Sequence, residues 1–280
     1  MAHGGYNILK PGMKMFDIKT LPERIKSKTN GLNWTYDNIG KSESTVLISS
    51  TMVLKIEETS HFSKREIELL NWLDGKLPVP KIIEAETQNG YSFLLMSKLP
   101  GEMVCTGSTL ENMETTVKAL ANGLKMIWQI NIKDCPYRHT ITDKLAHARH
   151  NIDNNLVDTS NFEPETIGPE GFSSVNDLYN YLDRNRPKEY LVFSHGDYSF
   201  PNILISGSQV TGLIDWGYGG IADRWQDISI CYRALRKKYS KYALYNESDY
   251  LRYKAIFFNE LGIKPDEEKV RYLNLLDEFF

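Results

Sequence analysis

The chain has 280 residues, 41% of them apolar and 25% charged, with a formal charge of −3 and three cysteines. That length holds one large domain, or two lobes around a single cleft, with a sizeable core. The charge leaves no basic excess for bulk nucleic-acid binding. The scattered Cys105, Cys135 and Cys231 argue against a zinc site or disulfide framework, and no apolar run is long enough to span a membrane. The first residues also lack a signal-peptide apolar core, so a cytoplasmic protein is expected.

In chain order, Leu21 to Lys28 reads as a short helix. Trp34 to Tyr36 and Thr45 to Ile48 are β-rich runs, with a polar loop from Asp37 to Ser44 between them. That loop can be an ordinary hairpin turn or a flap whose N–H groups cover phosphates. Met52 to Ile56 is an apolar strand interrupted by Lys55. A lysine in a buried strand needs an anionic partner, such as a nucleotide phosphate; on an edge strand it would simply face water. Phe62 to Lys76 has helical spacing at Ile67, Leu70 and Leu73 and carries Glu66 and Glu68, either of which can pair with Lys55. Pro78 and Pro80 end that helix. Ile82 to Glu86 and Tyr91 to Ser97 form a hairpin around Asn89-Gly90.

A long helical pattern then runs from Thr109 to Ile130, with Val117, Leu120, Leu124 and Ile127 on one face. Ile141 to Leu156 is a second helix, and its His147 and His150 are expected in solvent. Asn154 to Gly171 is a polar, acidic loop. Leu191 to Phe193 is a short strand that delivers His195-Gly196-Asp197 to a loop. Asn202 to Ile205 and Val210 to Ile214 read as two strands around Ser206-Gly207-Ser208. Such a hairpin holds Asn202 at the start of one strand and Asp215 at the end of the other. Phosphoryl transfer needs a carboxylate for the acceptor proton and oxygen ligands for Mg²⁺. Asp197 suits the first role, and Asn202 with Asp215 the second. Three helices complete the pattern: Asp223 to Tyr239, Ser248 to Leu261 and Pro265 to Phe280.

His195-Gly196-Asp197 with Asn202, followed by Ile214-Asp215-Trp216-Gly217 and Ala222-Asp223-Arg224-Trp225-Gln226-Asp227-Ile228, resembles the aminoglycoside phosphotransferases. Trp72 to Lys81, Asp134-Cys135-Pro136-Tyr137 and Gly262 to Phe280 resemble the 3′-type enzymes in particular. The resemblance implies an α+β, protein-kinase-like two-lobed fold. Residues 1–97 form the β-rich nucleotide lobe, 98–101 the hinge, and 102–280 a mostly helical catalytic and acceptor lobe. It implies ATP or GTP with Mg²⁺ as cofactors. Lys55 paired with Glu66 would hold the phosphates, with Ser42 contacting them, and Ser97 and Leu99 would lie at the adenine. Asp197 would be catalytic, Asn202 and Asp215 metal ligands, and Asp227 a support for the catalytic loop.

For the acceptor, the resemblance points to Asn161, Glu163, Arg233, Asp277, Glu278 and the carboxylate of Phe280. A polycationic aminoglycoside would need such anionic partners. The expected activity is phosphorylation of its 3′-hydroxyl, giving resistance, with no nucleic-acid, membrane or obligate protein partner. Three departures bear on this. Val53 stands where some relatives stack an aromatic on the base, so the choice of ATP or GTP stays open. Arg236-Lys237-Lys238 replaces acidic residues, and Phe200-Pro201 occupies a site where relatives can carry Asp. Lysines within a Debye length of roughly 8 Å would repel a cationic acceptor. A kinase of the same fold acting on a choline-like, sugar or macrolide alcohol is therefore the alternative, ahead of a nucleotide-binding protein without transfer activity.

Overall fold

The computed structural model describes residues 20–37, 44–241 and 247–280, with side chains except those of Asn161 and residues 237–241. The N-terminal part is a five-stranded antiparallel sheet in the order β1-β2-β3-β5-β4. Its strands are β1 (Thr35–Tyr36), β2 (Thr45–Ile48), β3 (Met52–Glu58), β4 (Ile82–Gln88) and β5 (Tyr91–Ser97). Helix α1 (Glu23–Thr29) lies on one face and α2 (His61–Leu73) on the other.

Side chains alternate across a strand, so each strand serves both faces. Leu54, Ile56, Phe93 and Leu95 pack toward Leu21 and Ile25, beside α1. Leu94 and Met96 join the larger core, which includes Leu69, Leu70 and Leu73 of α2. Lys55 lies between Leu54 and Ile56 and so faces the α2 side. It sits on a central strand, because β3 is paired with both β2 and β5. The reading of Lys55 as an edge-strand surface residue is thereby removed.

Ser60 and Ser63 cap α2 reciprocally, which fixes where the helix starts. Its buried residues, Ser63, Glu66, Leu69, Leu70 and Leu73, fall on one stripe. Glu66 is thus a carboxylate on a mostly apolar face, turned toward the sheet.

The C-terminal part begins with β6 (Glu102–Met103), α3 (Ser108–Glu111) and α4 (Met113–Trp128). The long helix expected from Thr109 is broken at Asn112, whose φ of −117° and ψ of 53° are not helical. Val117, Leu120, Leu124 and Ile127 are all fully buried, as their spacing predicts. Then follow α5 (Ile141–Asp153), α6 (Val175–Arg184), β7 (Leu191–Ser194), β8 (Ile203–Ser206), β9 (Gln209–Leu213) and β10 (Gly220–Asp223). Helices α7 (Trp225–Lys241), α8 (Glu247–Leu261) and α9 (Glu267–Asp277) finish the chain.

β6, β8 and β9 form one small sheet, and β7 pairs with β10 in another. β10 and α6 were not expected. The sequence pattern starts a helix at Asp223; instead Asp223 ends β10 and α7 starts at Trp225. The Asp223 carboxylate accepts the Trp225 N–H at 2.8 Å as α7 begins, and pairs with buried Lys269 of α9 at 2.7 Å. No described helix is long and apolar enough to cross a membrane.

Candidate active site

The site lies where the sheet, α2 and the β7–β10 region meet. Lys55 Nζ donates to Glu66 Oε2 at 2.7 Å and to Asp215 Oδ1 at 3.1 Å, and Glu57 Oε2 lies 3.5 Å away. Burial disfavours the Lys55 ammonium, but the charges of Glu66, Asp215 and Glu57 outweigh it, and the Lys55 pKa is raised. The lysine is therefore held as a cation. Glu66 is the nearer glutamate to it; Glu68 instead accepts the Tyr137 hydroxyl.

Asp197 and Asn202 face each other across one turn. Asn202 is not in a strand, as its sequence suggested, but ends a 3₁₀ turn over Phe200–Asn202 that leads into β8. Its Nδ2 donates to Asp197 Oδ2 at 2.8 Å and to the Asp197 carbonyl at 3.1 Å. That leaves the Asn202 amide oxygen to turn elsewhere. Burial pushes the Asp197 carboxyl above the usual aspartate range; the Ser199 and Asn202 hydrogen bonds oppose this and the Asp215 charge adds to it.

Asp215 lies two residues beyond β9 rather than at a strand end. Its φ of +65° is left-handed, a conformation that aspartate adopts at a local cost. The turn leaves its carboxylate half-exposed, with Lys55 on one oxygen.

The loop between β7 and Asn202 is fastened at four points. Asp227 of α7, fully buried, accepts the N–H of His195 at 2.8 Å and of Gly196 at 2.9 Å. The buried His195 ring bridges two segments: its Nδ1 accepts the Asp197 N–H at 3.3 Å, and its Nε2–H donates to the Ile214 carbonyl at 3.0 Å. Those partners require the neutral ring, and burial lowers the His195 pKa accordingly. Tyr198 Oη donates to the Leu120 carbonyl of α4 at 3.0 Å, where Gly123 leaves room that a Cβ would close. Gly196 has φ +82°, and a Cβ there would overlap the Tyr218 carbonyl. These contacts set Asp197 relative to Asp215 without using either carboxylate.

Hard oxygen donors suit Mg²⁺, which takes one or two carboxylates and completes its shell with water and phosphate oxygens. Asp215 and the Asn202 amide oxygen fit that donor set. No three His, Cys, Asp or Glu side chains converge as a closed metal site among the described residues.

The other candidates are distributed as follows. Ser97 Oγ accepts the Lys81 N–H at 2.9 Å, so its side chain ties the end of β5 to the residue before β4. Leu99 packs on Gly212 of β9, and none of the described residues hydrogen-bonds to its N–H or carbonyl. Ser42 lies outside the described residues, as do the side chains of Asn161, Lys237 and Lys238. Arg233 pairs with Asp277 at 2.7 Å. Glu278 accepts the Glu163 N–H and the Thr166 hydroxyl, each at 3.2 Å, and ties the acidic loop to the end of α9.

Asp277 and Phe280 border a cavity of about 440 Å³ that reaches Gly196 and Tyr218. His147, exposed as expected, lies at its rim, with its ring 5.0 Å from that of Phe280. Sequence reasoning did not single out Arg65, His139, Lys144 or Tyr218. They come together from separate segments, and no local pattern marks them.

A β-rich part carrying a lysine–glutamate pair, set over a helical part carrying an Asp-Asn turn and a second aspartate, defines a phosphotransferase of the kinase kind. The phosphotransferase enzyme family (APH) model matches residues 34–260. An aminoglycoside 3′-phosphotransferase of Enterococcus faecalis is 34% identical over 272 residues, covering 94% of this chain and 97% of that protein. One from Niallia circulans is 41% identical over 217 residues, covering 77% and 78%. The crystal structure of an aminoglycoside-3′-phosphotransferase of type VIII superposes with a TM-score of 0.74 at 26% identity, covering 92% of this chain and 97% of that one. The chain belongs to the aminoglycoside phosphotransferase family. It is an enzyme of the class that phosphorylates alcohol groups.

Proposed function

We propose that the protein moves the γ-phosphoryl group of ATP or GTP, with Mg²⁺, to the 3′-hydroxyl of an aminoglycoside, and acts in the cytoplasm to give resistance. The observation that carries this reading is the meeting of Lys55, Glu66 and Asp215 beside the Asp197–Asn202 turn. The names of the E. faecalis and N. circulans relatives supply the acceptor class and the position.

In this reading the β-rich lobe ends at 97, residues 98–101 are the hinge, and the Leu99 backbone and Ser97 border the adenine. Lys55, oriented by Glu66, binds the phosphates, with Ser42 from the flap. Asp197 accepts the acceptor hydroxyl's proton as its oxygen bonds to the γ-phosphorus and the bond to the β-phosphate oxygen breaks. Burial, which raises the Asp197 pKa, makes it a better base than a solvated aspartate. Asn202 and Asp215 would hold Mg²⁺, which supplies charge neutralisation among the phosphates when bound. The rest is positioning, and the four-point fastening of the loop serves that. On the acceptor side, Asp277, oriented by Arg233, and Phe280 border the cavity, while Asn161 and Glu163 belong to the adjoining loop and Glu278 joins that loop to the chain end.

A second reading, phosphorylation of a different small alcohol, is favoured by the cavity's own charges. Arg65, Arg138 and Lys144 border it against Asp143 and Asp277, and that excess of cations is unfavourable for ammonium groups. Mass spectrometry of kanamycin incubated with enzyme, Mg²⁺ and ATP or GTP decides between the two. A gain of one phosphoryl group, absent with Asp197→Ala, supports the aminoglycoside. No gain with either nucleotide, together with phosphorylation of a choline-like, sugar or macrolide alcohol, moves the acceptor.

A further inference from the structure

Helix α2 carries Glu66 on its buried stripe and a second set of contacts beside it. Arg65 and Glu68, three residues apart and so on one side of the helix, both reach across to residues 137–139. The Tyr137 hydroxyl donates to Glu68. The Arg65 guanidinium lies over the Tyr137 ring, 4.3 Å from its centre, and donates to His139 Nε2. Its Nη2 also donates to the Gly219 carbonyl at 3.3 Å, and Leu69 of the same helix packs on Gly219.

Residues 137–139 and 219–221 form one unit. The His139 N–H donates to the Ile221 carbonyl at 2.7 Å, and the Ile221 N–H to the Tyr137 carbonyl at 2.9 Å. Gly220 permits that approach, because a Cβ there would stand 2.9 Å from the Tyr137 carbonyl oxygen. The Gly219 N–H donates to the Trp216 carbonyl at 2.9 Å, which closes the turn directly after Asp215. On its other side the unit continues into β10, which pairs with β7 and so adjoins the Asp197 loop.

Lys55 joins the two bodies inside the site, 2.7 Å from Glu66 and 3.1 Å from Asp215. Glu66 moves with α2, and Asp215 moves with the turn that ends at Gly219. Arg65 joins the same two bodies a second time. It follows Lys64 and precedes Glu66 in the chain, and it holds a carbonyl four residues after Asp215. The contacts therefore close a ring through Lys55, Glu66, Arg65, Gly219 and Asp215.

We propose that Arg65 is a positioning residue for phosphoryl transfer: by fastening α2 to the turn after Asp215, it fixes how far apart Glu66 and Asp215 stand and where Lys55 and Asp215 meet the Mg²⁺–nucleotide. The inference rests on the roles proposed above for Lys55, Glu66 and Asp215. A planar fork that stacks on Tyr137 while donating to two acceptors is a task for arginine, and a lysine can perform only part of it.

The first measurement is calorimetry of a non-hydrolysable ATP or GTP analogue with Mg²⁺, on the intact protein without an acceptor. Arg65→Met should weaken binding by about tenfold and raise the Mg²⁺ concentration needed for half-saturation, as loss of an outer support does at a metal site. Turnover at saturating nucleotide and Mg²⁺ should fall by about 10²-fold, the cost of a small misplacement of reacting groups, with the acceptor KM unchanged. Arg65→Lys, which keeps a cation over Tyr137 and a donor for Gly219, should fall between the wild type and Arg65→Met; if Arg65→Met does not fold, the weakening in Arg65→Lys carries the test. All values are taken well below the Tm of each variant. Wild-type binding, Mg²⁺ requirement and turnover in Arg65→Met overturn the proposal, and so does a lowered Tm with those three unchanged, which makes the residue structural only. A raised acceptor KM alone overturns it too, because Arg65 also borders the acceptor cavity and would then act on the acceptor directly. Lys55→Met is the control on the site itself. Unchanged nucleotide binding there removes the reading of the site and this inference with it, whereas weakened binding in Lys55→Met beside wild-type binding in Arg65→Met removes this inference alone.

Discussion

Asp227 holds His195 by its backbone, its carboxylate accepting the His195 N–H at 2.8 Å while its other oxygen takes that of Gly196 at 2.9 Å. Two donors, one buried and one partly buried, depend on one side chain 32 and 31 residues further along. Asp227→Ala orphans both and should cost about 2–4 kcal/mol. Asp227→Asn keeps one acceptor and should cost roughly half as much by the same reasoning. Urea melts give both values; equal stability of Ala and Asn variants would contradict the account.

Gly196 should tolerate no side chain. Its φ of +82° and the Tyr218 carbonyl at the Cβ position act together. Gly196→Ala should lose at least about 2 kcal/mol and displace Asp197, lowering turnover. A variant with wild-type stability and turnover would show that the close approach is unimportant.

Asp197→Ala should separate chemistry from binding. Turnover should fall by about 10²–10⁴-fold, the range for losing a positioned base. Nucleotide affinity, measured by calorimetry with Mg²⁺, should be unchanged, whereas Asp215→Ala should weaken it. Loss of nucleotide binding in Asp197→Ala would reverse the two roles.

Lys55→Met leaves Glu66 buried without its cation and should destabilise by about 3–5 kcal/mol. The double variant Lys55→Met/Glu66→Gln should recover part of that stability and none of the activity. If the double variant is no more stable than the single one, burial of an unpaired Glu66 is not the cause.

The His139 pKa is pushed down from 6.5 to about 4 by burial, then by Arg65 and Lys144. Between those values the unfolded chain binds a proton that the folded chain does not. Stability is therefore present above pH 6.5, falls as pH drops toward 4, and is fully lost below. The loss is on the order of 2 kcal/mol, allowing for the ring's partial exposure. His139→Gln should flatten that stretch of the stability–pH curve; an unchanged slope would place the proton elsewhere.

The residues proposed for transfer are legible because their signals are local. Lys55 is a lone cation in an apolar strand, Asp197 and Asn202 are five apart, and a short hairpin separates them from Asp215. Helix α6 was missed because it follows a polar loop, with only Leu178 and Leu182 fully buried on it. Strand β10 was missed because Gly219-Gly220 reads as a turn; it becomes a strand only by pairing with β7. The cavity was not legible at all. Arg65 and His139 meet across 74 residues, and Arg65 and Gly219 across 154, so only the assembled chain brings them together.

The clasp between Glu278 and the 163–166 loop has a consequence for how such an enzyme diversifies. The Asp197 loop is fastened to the interior through Asp227, His195 and Tyr198, and the chain end is anchored there as well, through buried Phe279, whose carbonyl accepts from Asn151, and through the Asp277–Arg233 pair. The 163–166 loop is tied to that end through Glu278. Substitutions in the loop can reshape what enters without moving Asp197 or Asp215. Under selection for a new substrate, inherited changes should therefore accumulate in the loop while the inner framework, chain end included, drifts far more slowly.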